Sequence, residues 1–148
     1  MALSPKRRAR REDASATGSA AELVRLCARI AEEKKAEEIV VLNLTGLPYV
    51  TDYFLIASGN NPRQMGAIAA AIQEELLARG VKPLGIEGSD QGRWVLLDYG
   101  DFVVHMFDPE WRKLYDLELL WGDVPRLEWQ APKVARPAGR KPAKTESA

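Results

Sequence analysis

The sequence predicts an α/β domain, a mixed five-stranded sheet flanked by helices, and three observations lead there. Residues 92–107 hold two short apolar runs, rich in Val, Leu and aromatics and free of proline, on either side of Asp98-Tyr99-Gly100-Asp101. Such runs read as two strands joined by a tight turn, with Gly100 able to supply positive φ. Side chains alternate across a strand. Trp94, Leu96 and Asp98 therefore share one face and Val95, Leu97 and Tyr99 the other, while Phe102, Val104 and Met106 oppose Val103, His105 and Phe107. Both faces are largely apolar, so either helices cover both or one face awaits a partner. Finally, the element order α-β-β-α-β-β-β-α calls for a mixed sheet with helices packed on it.

Each element follows from local chemistry. Ser19-Ala-Ala-Glu22 is a capping-box pattern, and Leu23, Leu26, Cys27 and Ile30 follow at helical spacing, so a first helix runs to about Lys35. Cys27 falls on that apolar stripe and reads as a packing residue rather than a nucleophile. Residues 38–44 form a β-branched run that Thr45-Gly46-Leu47-Pro48 breaks, and 53–57 form a second strand. Asn61 caps a helix with Pro62 at its first position; Met65, Ile68, Ala69, Ile72 and Leu76 make its buried stripe, and Gly80 ends it. Residues 82–86 suggest an irregular strand limited by Pro83 and Gly85. After the central pair, Asp108-Pro109 opens a last helix in which Leu114, Leu117 and Trp121 can face the sheet, with Gly122 and Pro125 as the stop.

At 148 residues the chain is one domain with tails. The expected division is a disordered basic tail over 1–18, the domain over 19–125 and a basic Pro/Ala/Lys tail over 126–148. Trp129 is an exception, a lone aromatic expected to dock back. No run approaches the roughly 18 apolar residues of a membrane span. One cysteine and one histidine disfavour a disulfide and a structural zinc site, and a reducing, cytoplasmic setting fits. The formal charge of zero hides an asymmetry: residues 20–125 hold 10 basic and 17 acidic side chains, and the excess of base lies outside them. An acidic body favours a basic protein partner, while the tails could touch RNA weakly and without sequence preference.

At this point a resemblance appears. Gly92-Arg-Trp-Val-Leu-Leu-Asp-Tyr-Gly-Asp101 followed by Val103-Val104-His105 resembles the signature of the iojap-like family, the ribosomal silencing factors. Asp52-Tyr-Phe-Leu-Ile-Ala-Ser-Gly59, Leu84-Gly-Ile-Glu-Gly88 and Tyr115-Asp-Leu-Glu-Leu-Leu-Trp-Gly-Asp123 match it in the same order, over about residues 20–125. The resemblance implies a reduced nucleotidyltransferase-like fold. It also implies a factor that binds the large ribosomal subunit through its protein fourteen, a small basic protein, and sterically blocks joining of the small subunit, repressing translation. No cofactor and no chemistry are implied, and the free protein could form a homodimer.

The residues themselves weigh the alternatives. Ser58-Gly59-Asn60-Asn61-Pro62 precedes a helix N-terminus, where a phosphate can sit, but it lacks both glycine-rich nucleotide fingerprints and reads first as a helix cap. Nucleotidyltransferase chemistry needs two carboxylates two residues apart on one strand face; Asp98 and Asp101 are three apart across a turn. A residual nucleotide-binding enzyme is therefore the rival reading. His105 sits in an apolar strand with Ser58 as its only plausible triad mate, and packing explains it more simply. Arg112-Lys113 reads as a solvated pair. The expected partner site is Glu87, Trp94, Leu96, Asp98, Tyr99, Gly100 and Asp101, an aromatic anchor among carboxylates. Core packing competes for Trp94, and turn capping for Asp98 and Asp101.

Overall fold

The computed structural model describes residues 19–47, 51–88, 92–116, 119 and 122–130. Helix α1 (Ala20–Glu33) begins at the expected capping box: the Ser19 amide donates to Glu22 Oε1 and the Glu22 amide to Ser19 Oγ, both at 3.1 Å. Its buried stripe includes Leu23, Val24, Cys27 and Ile30. Cys27 is fully buried in the main core, and desolvation pushes its thiol pKa far up, as befits a packing residue.

Strands β1 (Glu37–Asn43) and β2 (Tyr53–Ser58) form an antiparallel pair. Helix α2 (Pro62–Ala78) follows, capped by Asn61, whose side chain accepts from the Gln64 amide. Strands β3 (Gly85–Gly88), β4 (Trp94–Asp98) and β5 (Phe102–Phe107) run as an antiparallel meander, and β5 inserts parallel to β2. The mixed sheet has order β1-β2-β5-β4-β3. β3 starts later than the sequence suggests: Pro83 has no N–H to give, and pairing opens with the Leu84 amide donating to Asp98 O at 2.7 Å.

The two sheet faces are covered unequally. Val41, Leu55, Ala57, Leu97, Val104 and Met106 point into a core closed by α1 and α2. Leu42, Ile56 and Phe107 point the other way into a smaller cluster, with Trp94 and Trp111 packed at its margin. There the chain supplies the seven-residue α3 (Pro109–Tyr115).

Two expectations need correction. In α3, Leu114 does not face the sheet: it is 76 % exposed. The helix stops at Tyr115, with Asp116 in the left-handed region at φ 48°, and its register lays Tyr115 over Phe107, ring centroids 5.8 Å apart. Leu117 and Trp121 lie outside the described residues, as do residues 1–18 and 131–148. The body also does not end at 125. Residues 125–129 run along β1: the Asn43 amide donates to Pro125 O and the Leu127 amide to Val41 O, both at 2.8 Å, and Arg126 bridges Leu42. Arg25 and Arg29 on α1 donate to the carbonyls of Glu128 and Trp129, and Trp129 packs on the main core. The added segment thus covers the free edge of β1.

Candidate functional site: an open aromatic sheet face

Strand register places one line of side chains across the less covered face. Glu87 on β3 stands opposite Leu96 on β4, Leu96 opposite His105 on β5, and His105 opposite Ile56 on β2. The neighbouring rows put Trp94 opposite Phe107 and Asp98 opposite Val103. Glu87 is exposed, and Trp94, Leu96 and Asp98 are half-buried. The alternation expected from the sequence therefore gathers these four residues on one accessible surface. Trp94 is both things the sequence allowed: it packs on the small cluster and keeps part of its surface in solvent.

The other three expected site residues lie inside. Tyr99 is 1 % exposed and stacks on Phe102 with ring centroids 5.1 Å apart; Asp101 is 4 % exposed, and Gly100 is buried. The turn is clamped from within. The Gly100 amide donates to Asp98 Oδ1 at 2.9 Å, the Asp101 amide to Tyr99 O at 3.0 Å and the Thr51 hydroxyl to Gly100 O at 2.7 Å, while the Asp52 amide donates to Asp101 O. Gly100 takes φ 88°, which a residue with a Cβ adopts only with strain. This turn orients β4 and β5 without offering its own side chains to a partner, and Asp98 alone of its carboxylates lies on the open face.

His105 lies mid-face among aromatic rings. Phe54 meets it edge-on at 4.7 Å, and Phe107 lies parallel to it at 6.1 Å. Burial lowers its pKa from the ordinary 6.5 to about 4, so the ring is uncharged at neutral pH. Trp94, His105, Phe107 and Tyr115 line a recess of about 140 Å³.

The sequence reads Arg112 as solvated and gives Arg93 no role. Arg112 is 6 % exposed rather than solvated, and its Nη1 donates to Ser58 Oγ at 2.8 Å. Arg93 pairs with Asp108 and Glu110 and sits over the Trp111 ring, 5.4 Å from its centroid, tying β4 to α3. Burial works to raise the Asp108 pKa, but its bonds from Arg93 and from the Trp111 amide hold it below the ordinary value.

The loop before α2 is occupied by its own contacts. The Gly59 amide donates to Phe107 O, the Asn60 amide to Gln64 Oε1, and Asn61 is spent on the helix cap. Ser58 Oγ accepts from Arg112, so the polar groups of this loop serve the fold's own contacts. Among the described residues, no group of three His, Cys, Asp or Glu side chains could hold a metal ion, and no helix is long and apolar enough to cross a membrane.

Comparison with known proteins fits this geometry. The model of the family described as "Ribosomal silencing factor during starvation" matches residues 17–148. A protein of Halalkalibacterium halodurans named ribosomal silencing factor RsfS is 43 % identical over 107 residues, covering 72 % of this chain and 92 % of that one. The Arabidopsis thaliana protein named Iojap, chloroplastic, is 32 % identical over 117 residues, 79 % of this chain and 47 % of its own length. A crystal structure of a Chromobacterium violaceum protein superposes with a TM-score of 0.65 at 35 % identity, over 80 % of this chain and 94 % of that one. The family match spans the strands that build the open face and the turn that orients them, and the chain belongs to the ribosomal silencing factor family.

Proposed function

We propose that this protein binds the large ribosomal subunit through large-subunit protein fourteen and silences translation by standing where the small subunit would join. Membership of the ribosomal silencing factor family carries the reading. The open face of the sheet is the docking surface. Trp94 and Leu96 supply apolar area to bury, and Glu87 and Asp98 supply charge that selects a basic partner. The mechanism is steric: occupancy of the partner excludes the small subunit, and no bond is made or broken. The basic segments outside the described residues add a weak, salt-dependent contact with ribosomal RNA. A homodimer of the free protein would compete for the same face. Sedimentation of the protein with ribosomal fractions tests the reading. Co-migration with free large subunits, and not with small subunits or polysomes, is expected; even distribution over all fractions would overturn it.

A further inference from the structure

His105 is 9 % exposed, yet among the described residues neither of its ring nitrogens has a hydrogen-bond partner. Buried polar groups are nearly always satisfied, and one left open in a native structure asks for a reason. The recess beside it supplies one. Trp94, Phe107 and Tyr115 form its other walls, and its volume of about 140 Å³ is several times the share of one liquid water, enough for one side chain.

We infer that this recess receives one arginine side chain of the basic protein partner, its guanidinium lying against the aromatic walls and donating to the unprotonated nitrogen of His105. The inference rests on the docking reading given above. Aromatic faces attract cations, and a guanidinium, planar and weakly hydrated, stacks on them better than an ammonium does. Burial keeps the imidazole uncharged, so it does not repel a cation and offers a lone pair to accept one N–H. Two carboxylates on the same face, Asp98 on β4 and Glu87 opposite Leu96, give it a negative charge that favours a cation. An anionic occupant would meet those same carboxylates. The nearby cation, Arg93, is engaged by Asp108 and Glu110. A purely apolar occupant would fill the space and leave both nitrogens of His105 unsatisfied.

His105 is the chain's single histidine, so one pair of ring signals reports on it after labelling with ¹⁵N-histidine. The full-length protein is titrated with purified large-subunit protein fourteen. We expect the unprotonated ring nitrogen to move upfield on binding while the protonated one changes little. Replacing the partner's arginines singly by lysine should identify one whose loss cancels that shift and weakens binding about tenfold. His105→Phe and His105→Leu should each weaken binding about tenfold without lowering the melting temperature of the free protein. A complex that forms with unmoved ring signals overturns the inference and leaves the docking reading standing; no complex at all overturns both. A shift that survives every arginine replacement shows another occupant and overturns it too. So does a Trp121→Ala variant that moves the ring signals of the free protein, because the recess would then hold this chain's own side chain.

Discussion

Trp94 stands directly opposite Phe107 across the β4–β5 ladder, a half-buried aromatic beside a buried one. The pair joins the accessible surface to the small cluster beneath it. Trp94→Ala should therefore act on binding and stability at once. We expect a loss of about 2 kcal/mol or more in partner affinity, as for a central aromatic anchor. The stability loss should be smaller, because the indole is half-buried. Isothermal titration and thermal melts on the same preparations measure both. Normal affinity with a collapsed melting temperature would make Trp94 a core residue only.

Asp98 separates charge from capping. Its Oδ1 accepts from the Gly100 amide and orders the turn, while the side chain also reaches the open face. Asp98→Asn keeps an acceptor and removes the charge, whereas Asp98→Lys removes the cap and sets like charges together. Both should slow association, Asp98→Lys more, and only Asp98→Lys should lose about 1 kcal/mol of stability as a lost turn bond. Stopped-flow association at two salt concentrations checks this; equal rates for the three proteins would remove Asp98 from the docking surface.

Most of the fold was legible from local chemistry. The caps at Ser19, Asn61 and Asp108, the turn at Gly100 and the stripes of α1 and α2 depend on neighbours in sequence and appear where expected. The site was half legible. Alternation placed Trp94, Leu96 and Asp98 together and Tyr99 on the opposite face with Leu97, but it could not show that Asp101 turns inward, because that depends on Thr51 and Asp52 from a loop fifty residues away in sequence. For the same reason Arg112 looked like a surface base: its partner Ser58 is 54 positions distant. The segment after Pro125 looked like a tail because its composition is polar, whereas backbone pairing with β1, which composition does not encode, holds it in place.

That segment makes a prediction of its own. A chain ending at residue 130 should melt close to the full-length protein, and one ending at residue 125 should melt several degrees lower, since it exposes the β1 edge and loses the packing of Leu127 and Trp129. Trp129→Ala in the full chain should show part of the same loss. Equal melting of all forms would mean that the segment adds nothing to the body.

His105 predicts a pH dependence with a definite sign. Its folded pKa, about 4, lies below the ordinary 6.5, so the unfolded chain takes up the proton first as pH falls. The native state thus keeps its full stability above about pH 6.5 and loses it progressively toward pH 4, by up to about 3 kcal/mol. Asp98 and Glu87 share that face in both proteins, so His105→Leu serves as the reference. Urea melts between pH 4 and 7 should show the wild type falling relative to His105→Leu; parallel curves would mean that His105 is protonated in the fold.

The central claim is that the protein silences by occupying the large subunit, and order of addition in a subunit-joining assay tests it most directly. Light scattering follows the joining of purified large and small subunits. Protein added to large subunits before the small ones should lower joining in proportion to occupancy, Trp94→Ala should do so only at much higher concentration, and protein added to joined ribosomes should change little. Joining that proceeds unchanged on large subunits saturated with the protein would contradict the account.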